Sequence, residues 1–340
     1  MRCHYIFRLF LLLIPFFSIH AVLDLEKAQD FVLDAQQIKL PQHPYAFNPS
    51  IVRWNGLILM SFREVAYPTY HSWIGLVWLD DQFQPVNTPQ YLNTGLKSCE
   101  DARLILIHNH LYIVYSSNEK STVVSEKTSG GFRMHVAELI WDGQQFKMQK
   151  IQYFLNFEGE RPHRKEKNWV PFEYQNELLL AYSLMPHRIL RPIPDSDACE
   201  TLYSTQNDIR WRWGELRGGT PGLIDSEHYL AFFHSSYKML SPFSQGKKMP
   251  HYFIGAYTFA AQPPFQITSI SPTPILGKNF YERNFYRPHW HPVIVIFPCG
   301  FIFDHEHIWL VYGKHDHELW MVKMDKQKLL KSLAPVHLLK

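Results

Sequence analysis

The stretch Ser98-Cys-Glu-Asp-Ala-Arg-Leu-Ile-Leu-Ile-His-Asn-His-Leu-Tyr-Ile-Val-Tyr115 begins with charged side chains and continues as two apolar segments separated by a polar turn. The apolar segments are residues 104–107 and 111–115. Two such segments joined by a short polar turn predict a β-hairpin. At the mouth of this hairpin, charges are either solvent-facing or part of a functional site. These charges belong to Glu100, Asp101 and Arg103.

The same layout recurs in four other parts of the chain. The turns of the five hairpins contain Asn55, Asn109, Asn176, Glu227 and Glu306. Repeated hairpins at intervals of this size are typical of a β-propeller with inserted loops, in which each sheet buries its faces against its neighbours. We therefore predict a single all-β domain, a five-bladed β-propeller, over residues 47–330. Residues 22–46 are predicted as a lead-in, with a short helix or loop over 22–42, and residues 331–340 as a C-terminal tail.

The composition supports a globular enzyme or binding protein. The chain has 340 residues, of which 46% are hydrophobic and 19% charged, so it is not of disordered composition. A net charge of +3 gives no reason to expect nucleic-acid binding. Aromatic residues reach 15%, which suits strands and core packing and also suits a sugar-binding surface, because aromatic rings stack on the apolar faces of pyranoses.

The N-terminus predicts export. Arg2 and Arg8 precede an apolar run over residues 9–17, and a small residue, Ala21, ends the segment. This is the layout of a secretory signal peptide, residues 1–21, and the run is shorter than a membrane span. The mature protein is then secreted or periplasmic. The alternative is an uncleaved N-terminal anchor, which is the only arrangement in which we expect contact with a membrane.

The cysteines and histidines give no reason to expect a disulfide framework, a metal site or a cofactor. Cys99, Cys199 and Cys299 are widely separated, so one disulfide is allowed but no disulfide scaffold, and their roles stay open. Four histidine pairs have i, i+2 spacing, yet none has a clear acidic third ligand. We predict surface histidines, no metal site and no cofactor.

If the hairpins are blades, the residues that enter their first strands meet at one mouth of the central funnel. These residues are Asn48 with Arg53, Glu100 with Asp101 and Arg103, Lys167 with Asn168, Arg217 with Thr220, and the loop over residues 313–316. Polar groups converging from five segments predict a site for a polar small molecule.

Several of these residues resemble a known family. Residues 100–103, Glu-Asp-Ala-Arg, are similar to the Glu-Asp-Pro-Arg motif of the five-bladed propeller mannoside phosphorylases and related β-mannosidases, glycoside hydrolase family 130. Similar in order and position are Phe47-Asn-Pro-Ser50, Ser61-Phe-Arg63, Lys167-Asn168, Gly218-Gly-Thr-Pro221, Phe233-His234 and Tyr312-Gly-Lys-His-Asp316. The resemblance extends over most of the mature chain.

The resemblance implies roles for individual residues. Asp101 corresponds to the catalytic acid, which passes its proton to the glycosidic oxygen through a hydroxyl of the mannosyl residue while phosphate attacks the opposite face. Lys167, Arg217 and His234 then face the anion. The residues implied for substrate binding are Asn48, Arg63, Glu100, Arg103, Asn168, Thr220 and Asp316. The implied partners are an oligosaccharide or sugar phosphate and inorganic phosphate.

Two departures leave the reaction open. Ile224 stands where the phosphorylases carry a lysine, and no arginine occupies residues 185–187, so two cations of an anion pocket are missing. Hydrolysis would instead need a second carboxylate about 6.5–9.5 Å from the first. The alternatives are a glycosyltransferase that uses a nucleotide sugar in the same funnel, or an inactive carbohydrate-binding propeller. The role of Asp101 is also open on electrostatic grounds. Arg103 nearby would lower the pKa of Asp101, as in a simple salt bridge, whereas a catalytic acid needs a raised pKa.

Overall fold

The computed structural model of the chain describes residues 23–118, 131–159, 165–282 and 293–337. Within them the strands form five antiparallel sheets arranged as a five-bladed propeller. The predicted signal peptide lies outside the described residues. Among the described residues, no helix has the length and apolar character that crossing a membrane requires.

Each blade is a sheet whose strands mostly follow one another along the chain. Blade 5 begins with the first strand of the described chain, β1 (Val32–Ile38). Blade 1 contains β2 (Phe47–Trp54), β3 (Leu57–Ala66), β4 (His71–Leu79) and β5 (Gln90–Tyr91). Blade 2 contains β6 (Cys99–Ile107), β7 (His110–Ser117), β8 (Arg133–Trp141) and β9 (Phe146–Tyr153). Blade 3 contains β10 (Val170–Tyr174), β11 (Glu177–Leu184), β12 (His187–Pro192) and β13 (Cys199–Thr205).

The last two blades are less regular. Blade 4 contains β14 (Arg217–Gly218), β15 (Leu223–Asp225), β16 (His228–Met239), β17 (Met249–Ala260) and β18 (Ile267–Ile270). Blade 5 adds β19 (Ile296–Asp304), β20 (His307–Lys314) and β21 (Glu318–Asp325) to β1. A 3₁₀ turn (Pro242–Ser244) connects β16 and β17, and the helix α1 (Lys326–Ser332) and strand β22 (Ala334–Pro335) follow β21.

Both ends of the described chain are built into the sheets. β1 pairs with β21 as the outermost strand of blade 5, so residues 32–38 form a strand and not the predicted helix or loop. β22 pairs with β18 and adds an edge to blade 4, although it falls in the predicted tail. The N-terminal strand therefore completes the last blade and closes the ring, which leaves fewer unpaired strand edges.

The core lies in the five seams between blades. Strand β16 shows how alternation fills two seams at once, because successive side chains point to opposite faces of a sheet. Leu230 and Phe232 pack against blade 5, whereas Tyr229, Ala231 and Phe233 pack against blade 3. The remaining seams, between blades 5 and 1, 1 and 2, and 2 and 3, each hold a similar buried cluster. All five predicted hairpins are confirmed. Their strands are apolar because each strand buries side chains in the seams on both faces of its sheet.

Candidate active site

A cavity of about 560 Å³ opens at the centre of the ring and is lined by side chains from all five blades. Its charged and polar lining consists of Asn48 and Arg63 from blade 1, Glu100 and Asp101 from blade 2, Lys165, Glu166, Lys167, Asn168, Tyr182 and Ser183 from blade 3, Glu215, Arg217, His234 and Tyr252 from blade 4, and Asp316 from blade 5. A concave site with convergent polar groups is the usual form of a small-molecule site.

Local backbone irregularities aim the key side chains into this cavity. The pairing of β6 with β7 shifts register between Glu100 and Arg103, and Asp101 within this bulge has φ of 53°. Asn48 lies in a comparable bulge of β2, with φ of 49°. Asp316 also has a left-handed backbone, with φ of 53°. Bulges re-aim side chains, and Asn and Asp tolerate positive φ better than most residues, so these positions project polar groups where a regular strand would not.

The predicted carboxylate pair is held by cations from other blades. Arg63 Nη2 donates to Glu100 Oε1 at 2.7 Å, and its Nη1 lies 3.4 Å from Asp101 Oδ1. The amide of Asn48 donates to the same Asp101 oxygen at 2.8 Å. Lys167 Nζ donates to Glu100 Oε2 and lies 3.4 Å from the ring centroid of Phe132. Glu100 is thus engaged through both oxygens, whereas Asn48 and Arg63 both contact the Oδ1 oxygen of Asp101.

Arg103 supports the site from behind the cavity wall. Its side chain is 1% exposed and donates to the backbone carbonyls of Asp101, at 2.7 Å, and of Gly219. Its third contact is with Asn168 Oδ1 at 3.0 Å. Arg103 therefore connects blades 2, 3 and 4 and is a positioning residue, which differs from the predicted direct contact with substrate.

The two aspartates of the cavity have opposite pKa shifts. Burial by itself would raise the pKa of Asp101, but Arg63, Lys167, the Asn48 amide and Arg103 outweigh it, and the net pKa is lowered. For Asp316, burial dominates and raises the pKa to about 6, with Asp101 and Glu100 adding to the shift against the opposing effect of Arg63. In the unliganded protein Asp101 is therefore an anion, and Asp316 is the carboxyl that holds a proton in weakly acidic solution.

His234 is neutral in this environment. Burial, with Arg103 and Arg217 nearby, lowers its pKa to about 3. Its Nδ1 lies 3.0 Å from the Gly218 carbonyl, which only accepts, so Nδ1 carries the hydrogen and Nε2 is an acceptor. A neutral acceptor suits a sugar hydroxyl better than the oxygens of an anion. Arg217, the other basic residue that lines the cavity on this blade, is more than half exposed and paired with Glu215 at 3.0 Å.

The structure brings together most of the predicted site residues. Nine of them line the cavity: Asn48, Arg63, Glu100, Asp101, Lys167, Asn168, Arg217, His234 and Asp316. Thr220 requires a correction, because it is fully buried and its hydroxyl bonds to the Pro221 carbonyl and the Phe232 amide. Arg53 was predicted to reach the funnel mouth with Asn48, but it does not line the central cavity. It pairs with Asp81 at 2.7 Å and lines a separate cavity with Asp304.

Sequence reasoning missed several cavity residues. They are Glu166, Trp169, Tyr182, Ser183, Tyr252 and Phe297. A usable signal existed for Tyr182 and Ser183, because they lie near the end of the second strand of blade 3, as the predicted site residue Arg63 lies near the end of the second strand of blade 1.

The cysteines lie outside this cavity. Cys99, Cys199 and Cys299 are buried thiols and none lines the cavity. Within residues 23–118, 131–159, 165–282 and 293–337, no group of three or more His, Cys, Asp or Glu side chains is arranged to hold a metal ion.

The cavity at the propeller axis brings together carboxylates, cations and aromatic rings from different blades, and this combination suits a carbohydrate-active enzyme. The family model described as β-1,4-mannooligosaccharide phosphorylase matches residues 22–334, and the chain belongs to this family, glycoside hydrolase family 130. The family of mannoside phosphorylases also contains glycoside hydrolases. The protein is thus an enzyme of the β-mannoside phosphorylase and hydrolase family.

Solved structures share the fold at low sequence identity. A β-1,2-mannobiose phosphorylase from Listeria innocua, in complex with β-1,2-mannobiose, has a TM-score of 0.58 at 16% identity, over 88% of this chain and 99% of that one. A mannose phosphorylase from Leishmania mexicana, solved with phosphate, has a TM-score of 0.61 at 11% identity, over 91% and 92%. A GDP-Man-dependent mannosyltransferase from Leishmania mexicana has a TM-score of 0.56 at 12% identity, over 87% and 91%.

One curated relative matches locally. A 61-residue segment is 41% identical to β-mannosyltransferase 3 from Komagataella phaffii. This match covers 17% of the present chain and 10% of the length of that transferase.

Proposed function

We propose that the protein makes or breaks a β-mannosidic linkage with inversion, and that Asp101 is the group that exchanges a proton at the reacting bond. The observation that carries this proposal is the position of Asp101. It is buried at a strand bulge facing the central cavity, and Asn48 and Arg63 fix its carboxylate. A carboxyl group held in this way can meet the reacting oxygen in one orientation, which is the condition for general acid–base catalysis.

The remaining cavity residues bind the sugar in this proposal. Arg63 and Asn168 present hydrogen-bond donors, and Asp316 and the neutral His234 present acceptors, to the hydroxyls of one mannosyl residue. The aromatic rings of Trp169, Tyr252 and Phe297 supply the apolar part of the wall. A single pyranose has both apolar faces and hydroxyl edges, so this mixture of groups suits it.

In the unliganded protein Asp101 is in the charge state from which the synthetic direction starts. In cleavage, Asp101 gives a proton to the leaving oxygen, so it must first be protonated against its lowered pKa. In synthesis the anion already present accepts the proton of an acceptor hydroxyl, directly or through a mannosyl hydroxyl. The acceptor oxygen then bonds to the anomeric carbon, and the bond from that carbon to the donor phosphate breaks with its electron pair leaving on phosphate. Both directions use the same carboxyl group.

Two donors fit this scheme. A sugar 1-phosphate makes the protein a reversible phosphorylase, and a nucleotide sugar makes it a transferase. The phosphorylase is supported by the family match, and the transferase by the local identity to β-mannosyltransferase 3 and by the neutral His234. Lys167 on blade 3 and Arg217 on blade 4 are cations of the cavity lining that would face the donor phosphate. Binding of phosphate there would compete with Glu100 and Glu215 for these cations.

The experiment supplies the full-length protein with each donor and substrate in turn. The reactions are mannose 1-phosphate with acceptor sugars, GDP-mannose with the same acceptors, and β-manno-oligosaccharides with and without phosphate. Phosphate-dependent turnover supports the phosphorylase, product from GDP-mannose supports the transferase, and phosphate-independent release supports hydrolysis. Binding without any product would contradict the proposed enzymatic function.

The Asp101→Asn variant tests the role of the carboxyl. It keeps the shape of the side chain but cannot exchange the proton, so turnover should fall about 10²–10⁴-fold. Asp195→Asn, on an exposed turn outside the cavity, is the matched control and should retain wild-type turnover. Wild-type turnover in Asp101→Asn would remove Asp101 from the mechanism.

A further inference from the structure

A group of exposed aromatic side chains adjoins the cavity on the seam between blades 5 and 1. Tyr45, Trp73 and Tyr91 are 39%, 38% and 42% exposed, although each contacts another ring. Together with His43 and Glu64 they form what we call the rim platform. Aromatic rings that serve only the core are normally buried, so a contiguous set with this exposure is a candidate binding surface.

The rim platform lies on the same side of the propeller as the cavity. Arg63 lines the cavity near the end of β3, and the next residue, Glu64, pairs with Trp73 across the β3–β4 hairpin. On the other side, the ring of Tyr45 lies 5.3 Å from that of His317, which directly follows the cavity residue Asp316. Glu64 and His317 are the sequence neighbours of the cavity residues Arg63 and Asp316, so the platform lies beside this edge of the cavity, although its own side chains are not part of the cavity lining.

Hydrogen bonds hold the platform in one arrangement. Glu64 Oε2 lies 2.8 Å from His43 Nδ1 and also accepts the hydroxyl of Tyr91. The rings of His43 and Tyr91 are 5.4 Å apart in an edge contact, and those of Trp73 and Tyr91 are 6.4 Å apart. Fixed rings lose little side-chain entropy when a ligand binds, which favours affinity.

The chemistry of the platform selects its ligand. The exposed rings offer apolar faces, while Glu64, His43 and the Tyr91 hydroxyl offer hydrogen-bonding groups at their edges. A pyranose has the matching combination of a C–H face and hydroxyl edges, and a chain of such rings can start in the cavity and continue onto the platform. These three groups already bond to one another, and a purely apolar partner would make no use of their remaining hydrogen-bonding capacity.

We propose that the rim platform binds the sugar units of an oligosaccharide that extend beyond the mannosyl residue in the cavity, with Trp73 and Tyr91 stacking on pyranose faces. This rests on the proposed function, because the cavity must hold the first sugar of the same chain. The consequence is a preference for long acceptors or substrates over disaccharides.

Calorimetric titration of the Asp101→Asn protein with β-linked manno-oligosaccharides of increasing length tests this proposal. We expect the ratio of the disaccharide Kd to the hexasaccharide Kd to be roughly tenfold or more, and to collapse toward one in Trp73→Ala and Tyr91→Ala. Tyr91→Phe keeps the ring but loses its bond to Glu64, so its ratio should be intermediate. Tyr153→Ala, which removes a ring of similar exposure from the outer strand of blade 2, should keep the original ratio.

The outcomes separate the two proposals. A length-independent Kd, or an unchanged ratio in both Trp73→Ala and Tyr91→Ala, would overturn the role of the platform while leaving the cavity chemistry intact. Failure of the cavity chemistry would appear instead as no turnover of any donor or mannoside by the wild-type protein. In that case, hexasaccharide binding that depends on Trp73 and Tyr91 would still support the platform.

Discussion

Asp101 and Asp316 illustrate how two identical side chains in one cavity acquire different properties. Asp101 has close cationic and amide partners that compensate for its burial, so its anion is stabilised. Asp316 is only partly buried by its solvent exposure, but desolvation and two nearby carboxylates outweigh the effect of Arg63, so its neutral form is favoured. Separated pKa values of neighbouring carboxyls are typical of acid–base sites. The pair thus carries one proton near pH 5, and that proton is mainly on Asp316.

These shifts predict opposite effects of neutralising each residue. The folded-state pKa of Asp316, about 6, lies above its ordinary value, so its ionisation destabilises the fold as the pH rises through 6. Asp316→Asn should therefore raise the free energy of unfolding at pH 7, by up to about 3 kcal/mol, and have little effect near pH 4. The measurement is urea unfolding at both pH values.

Asp101→Asn is the matching variant in the same experiment. The folded-state pKa of Asp101 is lowered, so its anion stabilises the fold above the ordinary carboxyl pKa, and that stabilisation disappears as the pH falls through the lowered value. The variant should therefore lower the free energy of unfolding at pH 7. Shifts of the same sign for both variants would contradict the assigned charge states.

At the scale of elements, the N-terminal strand β1 closes the ring of blades. It pairs with β21 from Asp34↔Lys323 to Ile38↔Leu319 and so joins the two ends of the ring. Ile38, at the end of this strand, is 3% exposed and packs in the seam between blades 5 and 1. The packing of this seam also positions the lead-in residues of the rim platform.

Truncation of Ile38 tests the role of this strand. Ile38→Ala removes buried methyl and methylene groups and leaves a cavity, so we expect a loss of about 2–4 kcal/mol in the free energy of unfolding. Leu33→Ala on the same strand, where the side chain is 48% exposed, should change it by less than about 0.5 kcal/mol. Equal effects of the two substitutions in denaturant titrations would show that β1 does not contribute through the seam.

At the scale of the whole molecule, the site depends on blades that approach each other closely at the axis. Gly313 at the end of β20 faces Asn48 of blade 1, and a Cβ at position 313 would lie only 1.9 Å from Asn48 Oδ1. The absence of a side chain on blade 5 therefore allows the Asn48 amide to reach Asp101 on blade 2. Three blades must be in register for this one hydrogen bond.

A double-mutant cycle measures this dependence. Asn48→Ala should lower kcat by about 10- to 150-fold, because a hydrogen bond to a charged group contributes about 1.5–3 kcal/mol. Gly313→Ala should produce a similar loss by displacing Asn48, and the double variant should be no worse than the more affected single variant. Additive losses would indicate that Gly313 acts independently of Asn48.

The sequence by itself determined the five-hairpin repeat and hence the propeller, because strands that bury both faces must be apolar and their turns polar, and both signals are local. It also supplied the short motifs around Asp101, Lys167 and Asp316. Only the tertiary structure decided that Thr220 and Arg103 lie behind the wall, that residues 32–38 complete blade 5, and that Asp316 rather than Asp101 holds the proton. These outcomes depend on bulges, on strand pairing between distant parts of the chain and on burial, all of which are set by contacts between blades.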